Sequence, residues 1–454
     1  MKQNVIVYPH LSGVIATAVR HLSDILMRHT GVSPLCTDAA SYTARDDLRP
    51  FFLSVRSEVP SPEGYRITVK DDEVHICGHD ENGVLYGCID FEKDYLLKAR
   101  LTHSHMPYFK DLFADKLPDA QFSSAPAICD RGLWTWGHVI TDYRGYMDNM
   151  VRAKLNTLIV WNDFIPVNAR EVVAYAHDCG IKFYWGFSWC WDTNCAAFDL
   201  SRIDDYVNDI VRNYESNYAH LGGDGIYFQS FTELHTETIG GLLIADAVTR
   251  LVNAAAGRIL DKYPGLDIQF GLHATSVRER LDYIARTDPR VRITWEDCGA
   301  FPYAYLPEHI DGFEETCAFT RRLLSLRGEN EKFGSVLKGF TCLDWTTFEH
   351  LRGPSLLGVS PECITQQRVQ RKKDIWRVVQ AYWLRNAAYA HEMIRLLAAE
   401  GNQDKCITAL VEDGAFEAQL PYPVALWAQM LWNPAQNLQD ILCDTALRPD
   451  VSMG

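Results

Sequence analysis

The chain has no paired cysteine motif. Its thirteen cysteines are an odd number, scattered singly from Cys36 to Cys443 with no CxxC among them. That pattern excludes a disulfide framework or a zinc ribbon and implies reduced, mostly buried thiols. Basic charge is also short: 44 Lys and Arg stand against 59 Asp and Glu, a formal net charge of −15. A nucleic-acid partner needs a basic footprint, so none is expected, and a neutral or cationic ligand fits better. No apolar run is long enough to cross a bilayer, and "MKQNVIVYPHLSG" has no separate apolar segment ahead of a small-residue cleavage site, so no membrane partner and a cytoplasmic location are expected. There is no HExxH. The one HxH, His103 to His105, is like the metal pair of amidohydrolase barrels but lies upstream of the first barrel strand proposed below, so neither metal nor other cofactor is expected.

What is present is a large apolar fraction, 47% hydrophobic with 12% aromatic in 454 residues, enough for two or three domains with a packed core. Residues 1–120 read as a small α/β domain. "NVIVYP" is a strand, and Ile15, Val19, Leu22, Ile25 and Leu26 recur at helical spacing before a stop at Gly31. "YRITVKDDEVHICG" alternates as two strands around Asp71-Asp72, and "NGVLYGCIDFEKDYLL" reads as a helix.

Residues 125–454 alternate short apolar strands with amphipathic helices. Strands are expected at "AICDRGLW", "TLIVWND", "KFYWGFSW", "GIYFQSF", "DIQFGLH", "VRITWED", "VLKGFTCLDW" and "ALWAQMLW". Eight such units predict a (β/α)8 TIM barrel, closed by a C-terminal helical segment. An open doubly wound sheet would show a glycine-rich phosphate turn after its first strand, and "GLWTWGH" is not one.

Many of these strands end in tryptophans and carboxylates, and a parallel barrel gathers its strand C-termini at one mouth. Indole faces suit the C–H faces of a pyranose, while acids and amides accept its hydroxyl hydrogens. The residues expected to bind such a sugar are Arg131, Trp134, Trp136, Trp161, Asn162, Asp163, Trp189, Trp191, His235, His273, Trp295, Tyr303, Asp344, Trp345 and Trp432. Cleaving a glycosidic bond takes two carboxyl groups. Glu233, ending the fourth strand, is the expected general acid, with Phe231 and Leu234 as apolar neighbours able to desolvate it. Its partner is Glu296 or Asp297 on the sixth strand, or Asp344 on the seventh. Consecutive strand residues face opposite ways, so Glu296 faces inward only if Thr294 does, and Glu296 is the favoured choice. Each carboxylate taken alone has an ordinary reading as a helix cap or loop ion pair; their shared position is what points to chemistry.

These stretches resemble a known group. "GYRITVKDDEVHICGHDENGVLYGCIDF", with its G-x-x-Y-G from Gly83 to Gly87, resembles the small domain that precedes the barrel in family-20 β-hexosaminidases and α-glucuronidases. "DRGLWTWG…MDNMVRAKLNTLIVWND" is similar to their barrel opening, and "LWNPAQNLQDIL" to the tryptophan-bearing last strand of related glycosidases. The resemblance implies a glycoside hydrolase with a carbohydrate substrate, β-hexosaminidase-like, with Glu233 at the acid position. An α-glucuronidase-like enzyme and a non-catalytic sugar-binding barrel are the alternatives, and a homo-oligomer is left open. Family-20 enzymes carry an Asp-Glu pair at the end of the fourth strand, used for hydrolysis assisted by the substrate's acetamido group; this chain has Thr232-Glu233.

Overall fold

The computed structural model describes residues 2–99, 112–113, 116–136, 140, 142–161, 164–190, 198–296, 312–329, 331–340, 362–401, 404–411 and 415–454. Two compact units emerge. One is Met1–Ala127 with Ala176–Gly180 and Leu442–Asp450, and the other is Ile128–Tyr175 with Ile181–Ile441 and Val451–Gly454. The segment Leu442–Asp450, which the sequence reading places with the barrel, thus belongs to the first unit.

The first unit is built on a six-stranded sheet, β1 (Gln3–Tyr8), β2 (Leu35–Asp38), β3 (Leu48–Val55), β4 (Tyr65–Lys70), β5 (Glu73–Gly78) and β6 (Ala120–Ser124), in the order β2-β1-β3-β5-β4-β6. Its first helix, Gly13–Thr30, buries Ile15, Val19, Leu22, Ile25 and Leu26 and stops at Gly31 in the left-handed conformation, φ 70°. The β4–β5 hairpin turns on Asp71 and Asp72, both at positive φ, as a two-residue loop between antiparallel strands demands. Helix Glu81–Asp90 is capped by the Asp80 carboxylate, which accepts from the Gly83 amide at 2.8 Å. A Cβ at Gly83 would lie 2.1 Å from the Gly64 carbonyl oxygen, so the glycine opening G-x-x-Y-G is there for close packing. Strands β2, β3 and β6 go beyond what the sequence reading singled out.

The second unit is a closed barrel of eight parallel strands: β7 (Asp130–Trp136), β8 (Thr157–Trp161), β9 (Lys182–Gly186), β10 (Gly225–Gln229), β13 (Asp267–Leu272), β14 (Val291–Glu296), β15 (Phe333–Phe340) and β16 (Lys405–Val411). A two-stranded ribbon, β11 (Thr238–Ile239) with β12 (Leu242–Leu243), stands in the loop after β10, and β17 (Leu420–Pro421) pairs with β18 (Val451–Ser452). The eighth strand is therefore "KCITALV", every residue of it buried, and not "ALWAQMLW". The latter lies in a helix, Tyr422–Trp432, with a proline in its first turn and all eleven residues buried. A short run apolar on every side fits a buried helix as well as a buried strand, and that ambiguity misplaced it. No described helix is long and apolar enough to cross a membrane.

Alternate residues fill the barrel. Trp134, Ile159, Tyr184, Tyr227, Val336 and Leu410 make one apolar layer. At the N-terminal ends of the strands the filling is ionic. Arg292 meets Asp404 at 2.9 Å, Asp267 at 3.3 Å and Asp130 at 3.7 Å, while Lys332 pairs with Asp267 and Lys182 with Asp130, each at 2.6 Å. Burial works to raise the Asp267 carboxyl, but Arg292 and Lys332 outweigh it and hold it below the usual range. This end reads as structural, which leaves the opposite mouth for chemistry.

Candidate functional site

At the C-terminal mouth three neighbouring strands deliver one connected group of side chains. Strand alternation turns Tyr227 and Gln229 of β10 inward, and Thr294 of β14 donates to the Gln269 side chain at 3.1 Å within the barrel. Thr294 and Glu296 therefore face the interior, and Trp295 faces out, its ring 5.7 Å from Phe319 on helix Phe313–Leu324. Of the two registers open in the sequence, this is the one that favours Glu296.

Glu296 is wholly buried. Its Oε1 accepts from the Tyr227 hydroxyl and from Gln229 Nε2 at 2.7 Å, and its Oε2 accepts from the same Gln229 nitrogen at 2.9 Å. His273 Nε2 lies 2.6 Å from Oε2. With that carboxyl ionised, the imidazole nitrogen is the donor in the bond, since a carboxylate has no proton to give. The other ring nitrogen, Nδ1, is 3.2 Å from Glu233 Oε2. A line thus runs from Glu233, whose side chain is 49% exposed, through His273 at 5%, to Glu296 at 0%.

The loops hold this line in place. Glu233 ends a single 3-10 turn, Phe231–Glu233, directly after β10. The carbonyl of buried Thr232 accepts from the Ser276 amide at 3.1 Å and its hydroxyl at 2.8 Å, fastening the loop after β10 to the loop after β13. Arg280 and Glu237 pair across the same two loops at 3.2 Å. Ala274, next to His273, sits at φ 54°, a backbone state that a non-glycine residue holds only when its surroundings enforce it.

Several expected sugar contacts lie elsewhere. Trp189 is fully buried, its ring stacked 3.7 Å from Phe228, on the outward face of β10. Trp295 is turned against its helix, as above. Arg131 is fully buried and donates to the carbonyls of Ile128, Cys129 and Lys154 at 2.6–3.1 Å. Trp432 ends a helix with its ring 5.3 Å from the Arg131 guanidinium and 3.9 Å from the Lys154 ammonium. These four are packing residues. Trp134 belongs to the apolar layer, 5.4 Å from Tyr227, and shows no open face. Trp161, at the end of β8, is partly exposed and packs against that layer. It sits tight over Gly186, where a Cβ would lie 2.7 Å from its own. His235 is exposed on the loop after Glu233. Trp136 closes β7, its side chain lying outside the described part, and Asn162, Asp163, Trp191, Asp297, Tyr303, Asp344 and Trp345 lie outside the described residues, as does the His103–His105 pair. Glu233 departs from expectation in its surroundings. It is half exposed, with His273 Nδ1 3.2 Å from its carboxylate, and not enclosed as the apolar neighbours Phe231 and Leu234 suggest. Among the described residues no group of His, Cys, Asp and Glu is placed to hold a metal ion.

No family model and no curated protein sequence matches the chain. Solved structures do. The β-N-acetylhexosaminidase from Bacteroides fragilis NCTC 9343 is similar with a TM-score of 0.54 at 12% identity, over 100% of this chain and 93% of that one. CpGH84B is similar at 0.51 and 9% identity, over 98% and 70%. A GH138 enzyme targeting pectin rhamnogalacturonan II is similar at 0.52 and 14% identity, over 97% of this chain and 52% of that one, so the chain spans about half that enzyme's length. These neighbours are glycoside hydrolases, and at such identities what the chain shares with them is the fold, a TIM barrel accompanied by a small α/β domain.

Proposed function

We propose that the chain is a glycosidase that hydrolyses an O-glycosyl bond at the C-terminal mouth of its barrel, with Glu233 as the acid. The observation that carries this reading is the line Glu233–His273–Glu296. An exposed carboxyl is ordinarily ionised near neutrality and has no proton to give. Here an imidazole stands alongside, its Nδ1 3.2 Å from Glu233 Oε2 and its Nε2 against the buried Glu296 carboxyl. The pair can carry one proton as carboxylic acid plus neutral imidazole, which is the state a general acid needs. In the reaction the glycosidic C–O bond breaks and the leaving oxygen takes that proton. Water supplies the hydroxyl to the sugar carbon and returns its second proton to the carboxylates.

Glycoside cleavage still needs a second carboxylate facing the sugar. Glu296, enclosed by Tyr227, Gln229 and His273, is assigned to anchoring the histidine, which passes the sugar-facing role to Asp297 or Asp344. The two assignments separate on leaving group. With an activated aryl-glycoside little acid is needed, so Glu296→Gln should keep most of its rate there and lose it on an unactivated glycoside. Asp297→Asn or Asp344→Asn, whichever is the partner, should abolish both. Near-complete loss by Glu296→Gln on the activated substrate would return the role to Glu296.

As to the sugar, aryl β-N-acetylhexosaminides are the first choice. Support comes from the likeness to the Bacteroides fragilis β-N-acetylhexosaminidase, which runs the length of both chains. Trp161 supplies an aromatic face for the ring. The test is a panel of aryl hexosaminides, glucuronides and hexosides offered to the wild type and Glu233→Gln. The glutamine keeps size and hydrogen bonding and loses only the proton, so turnover should fall at least about a hundredfold with sugar binding retained. Cleavage of none of them, or equal rates for both proteins, overturns the reading.

A further inference from the structure

Two buried serines hold the turn that carries Glu233, one from each side. Ser230 donates its hydroxyl to the Trp189 carbonyl, in the loop after β9, at 2.7 Å, and the Trp189 amide donates back to the Gln229 carbonyl at 2.9 Å. On the other side Ser276, in the loop after β13, donates its amide at 3.1 Å and its hydroxyl at 2.8 Å to the Thr232 carbonyl. We propose that Ser230 and Ser276 are positioning residues for Glu233, setting the place from which its carboxyl meets the leaving oxygen. The inference rests on the reading of Glu233 as the acid.

The carboxyl of a half-exposed side chain is not fixed by packing around it, so its placement falls to the backbone beneath. Here that backbone is one 3-10 turn, Phe231–Glu233, a form with poor internal hydrogen-bond geometry that does not hold itself rigid in so short a piece. Its rigidity comes from outside. Ser230, Phe231 and Thr232 are all buried, and the Phe231 ring lies 4.8 Å from Phe198, so three consecutive residues are anchored and the fourth, Glu233, is put forward. The two serines act at alternate residues of this stem, Ser230 from within it and Ser276 on Thr232, and they tie it to the loops of both neighbouring strands. Alanine would fill either buried position with almost the same shape, so what serine adds is a hydroxyl aimed at one carbonyl. Ala274, held at φ 54°, lies in the short stretch between the end of β13 and Ser276, and the strain it carries is consistent with a loop bent to make this contact. A proton donor displaced by about 1 Å can lose a hundredfold in rate, so a tie that corrects a fraction of that distance has a kinetic effect.

The test separates placing an acid from merely stitching loops together. Ser276→Ala and Ser230→Ala are compared with wild type on an unactivated glycoside and on an activated aryl-glycoside of the same sugar. Each variant should lose about ten- to a hundredfold in kcat on the first, with KM little changed, and stay near the wild-type rate on the second, where little acid is needed. Equal losses on both substrates, or no loss on either, overturns the proposal. A second readout needs no substrate: in protein labelled with ¹³Cδ-glutamate, the Glu233 signal, identified by its disappearance in Glu233→Gln, should shift in both serine variants. A Glu233 signal that coincides with wild type in the folded variants overturns the positioning role even if no glycoside is cleaved, whereas a wild type that cleaves none, with the signal shifted, removes the glycosidase reading and leaves the two serines as what places Glu233. The substitutions lie in different loops, so if one variant fails to fold the other still decides.

Discussion

A methyl group at position 271 would lie 2.5 Å from Glu296 Oε1 and 2.6 Å from the Tyr227 hydroxyl. Gly271 therefore keeps open the space in which those two meet, and Gly271→Ala should push the carboxylate out of its bonds. Forcing a methyl into a packed interior costs about 1–3 kcal/mol, to be read in a urea titration. The activity loss should exceed what that destabilisation explains, because at temperatures where the variant is fully folded the anchor is still displaced. Unchanged kcat in the folded variant would falsify the role given to Glu296. Part of this site is legible in the sequence. Glu233 and His273 stand at strand ends, and strand alternation ties Glu296 to Thr294. Tyr227 and Gln229 went unread, although a glutamine two residues beyond a tyrosine in a buried strand marks a shared face with a polar purpose. The tryptophans mislead because indole is also the commonest filler of large gaps; Trp189 and Trp432 serve there, and nothing in their strand-end or chain-end position distinguishes them from Trp161.

Among the elements, the ionic plug at the N-terminal ends of β7, β13 and β14 has a pH dependence of definite sign. Asp267 is held below the ordinary carboxylate range by Arg292 and Lys332, against the pull of its burial. A depressed carboxyl contributes stability that is present above its unfolded value, about 3.9, and is lost as pH falls through the lower folded value. Asp267→Asn should thus cost on the order of 3 kcal/mol near neutrality, since it leaves buried Arg292 short of a partner. The gap between wild type and variant should close in strong acid, and urea titrations at pH 7 and below pH 3 measure both ends. A constant gap would assign the loss to packing. Seven of the eight barrel strands announce themselves by a polar or aromatic residue at the end of an apolar run. The eighth, β16, is buried on both faces and shows no alternation, although Glu412-Asp413 follows its apolar run in the sequence.

At the scale of the whole molecule, the first unit is discontinuous in sequence. Leu442–Asp450 belongs to it, with Thr445 and Arg448 buried and Arg448 paired to Asp450 at 2.6 Å. A chain stopped after Ile441 should therefore lose protection chiefly in residues 2–99, seen as new protease cuts and faster amide exchange there, with the barrel's exchange little altered. Equal protection in the full and shortened chains would show the segment to be dispensable. During synthesis the consequence is an inverted order. The ribosome releases the six-stranded sheet first, yet its last nine residues emerge only after the whole barrel has been made. At about 5–20 residues per second that is a wait of some tens of seconds. For that interval the sheet-bearing unit must endure incomplete, waiting on a segment made after the last barrel strand.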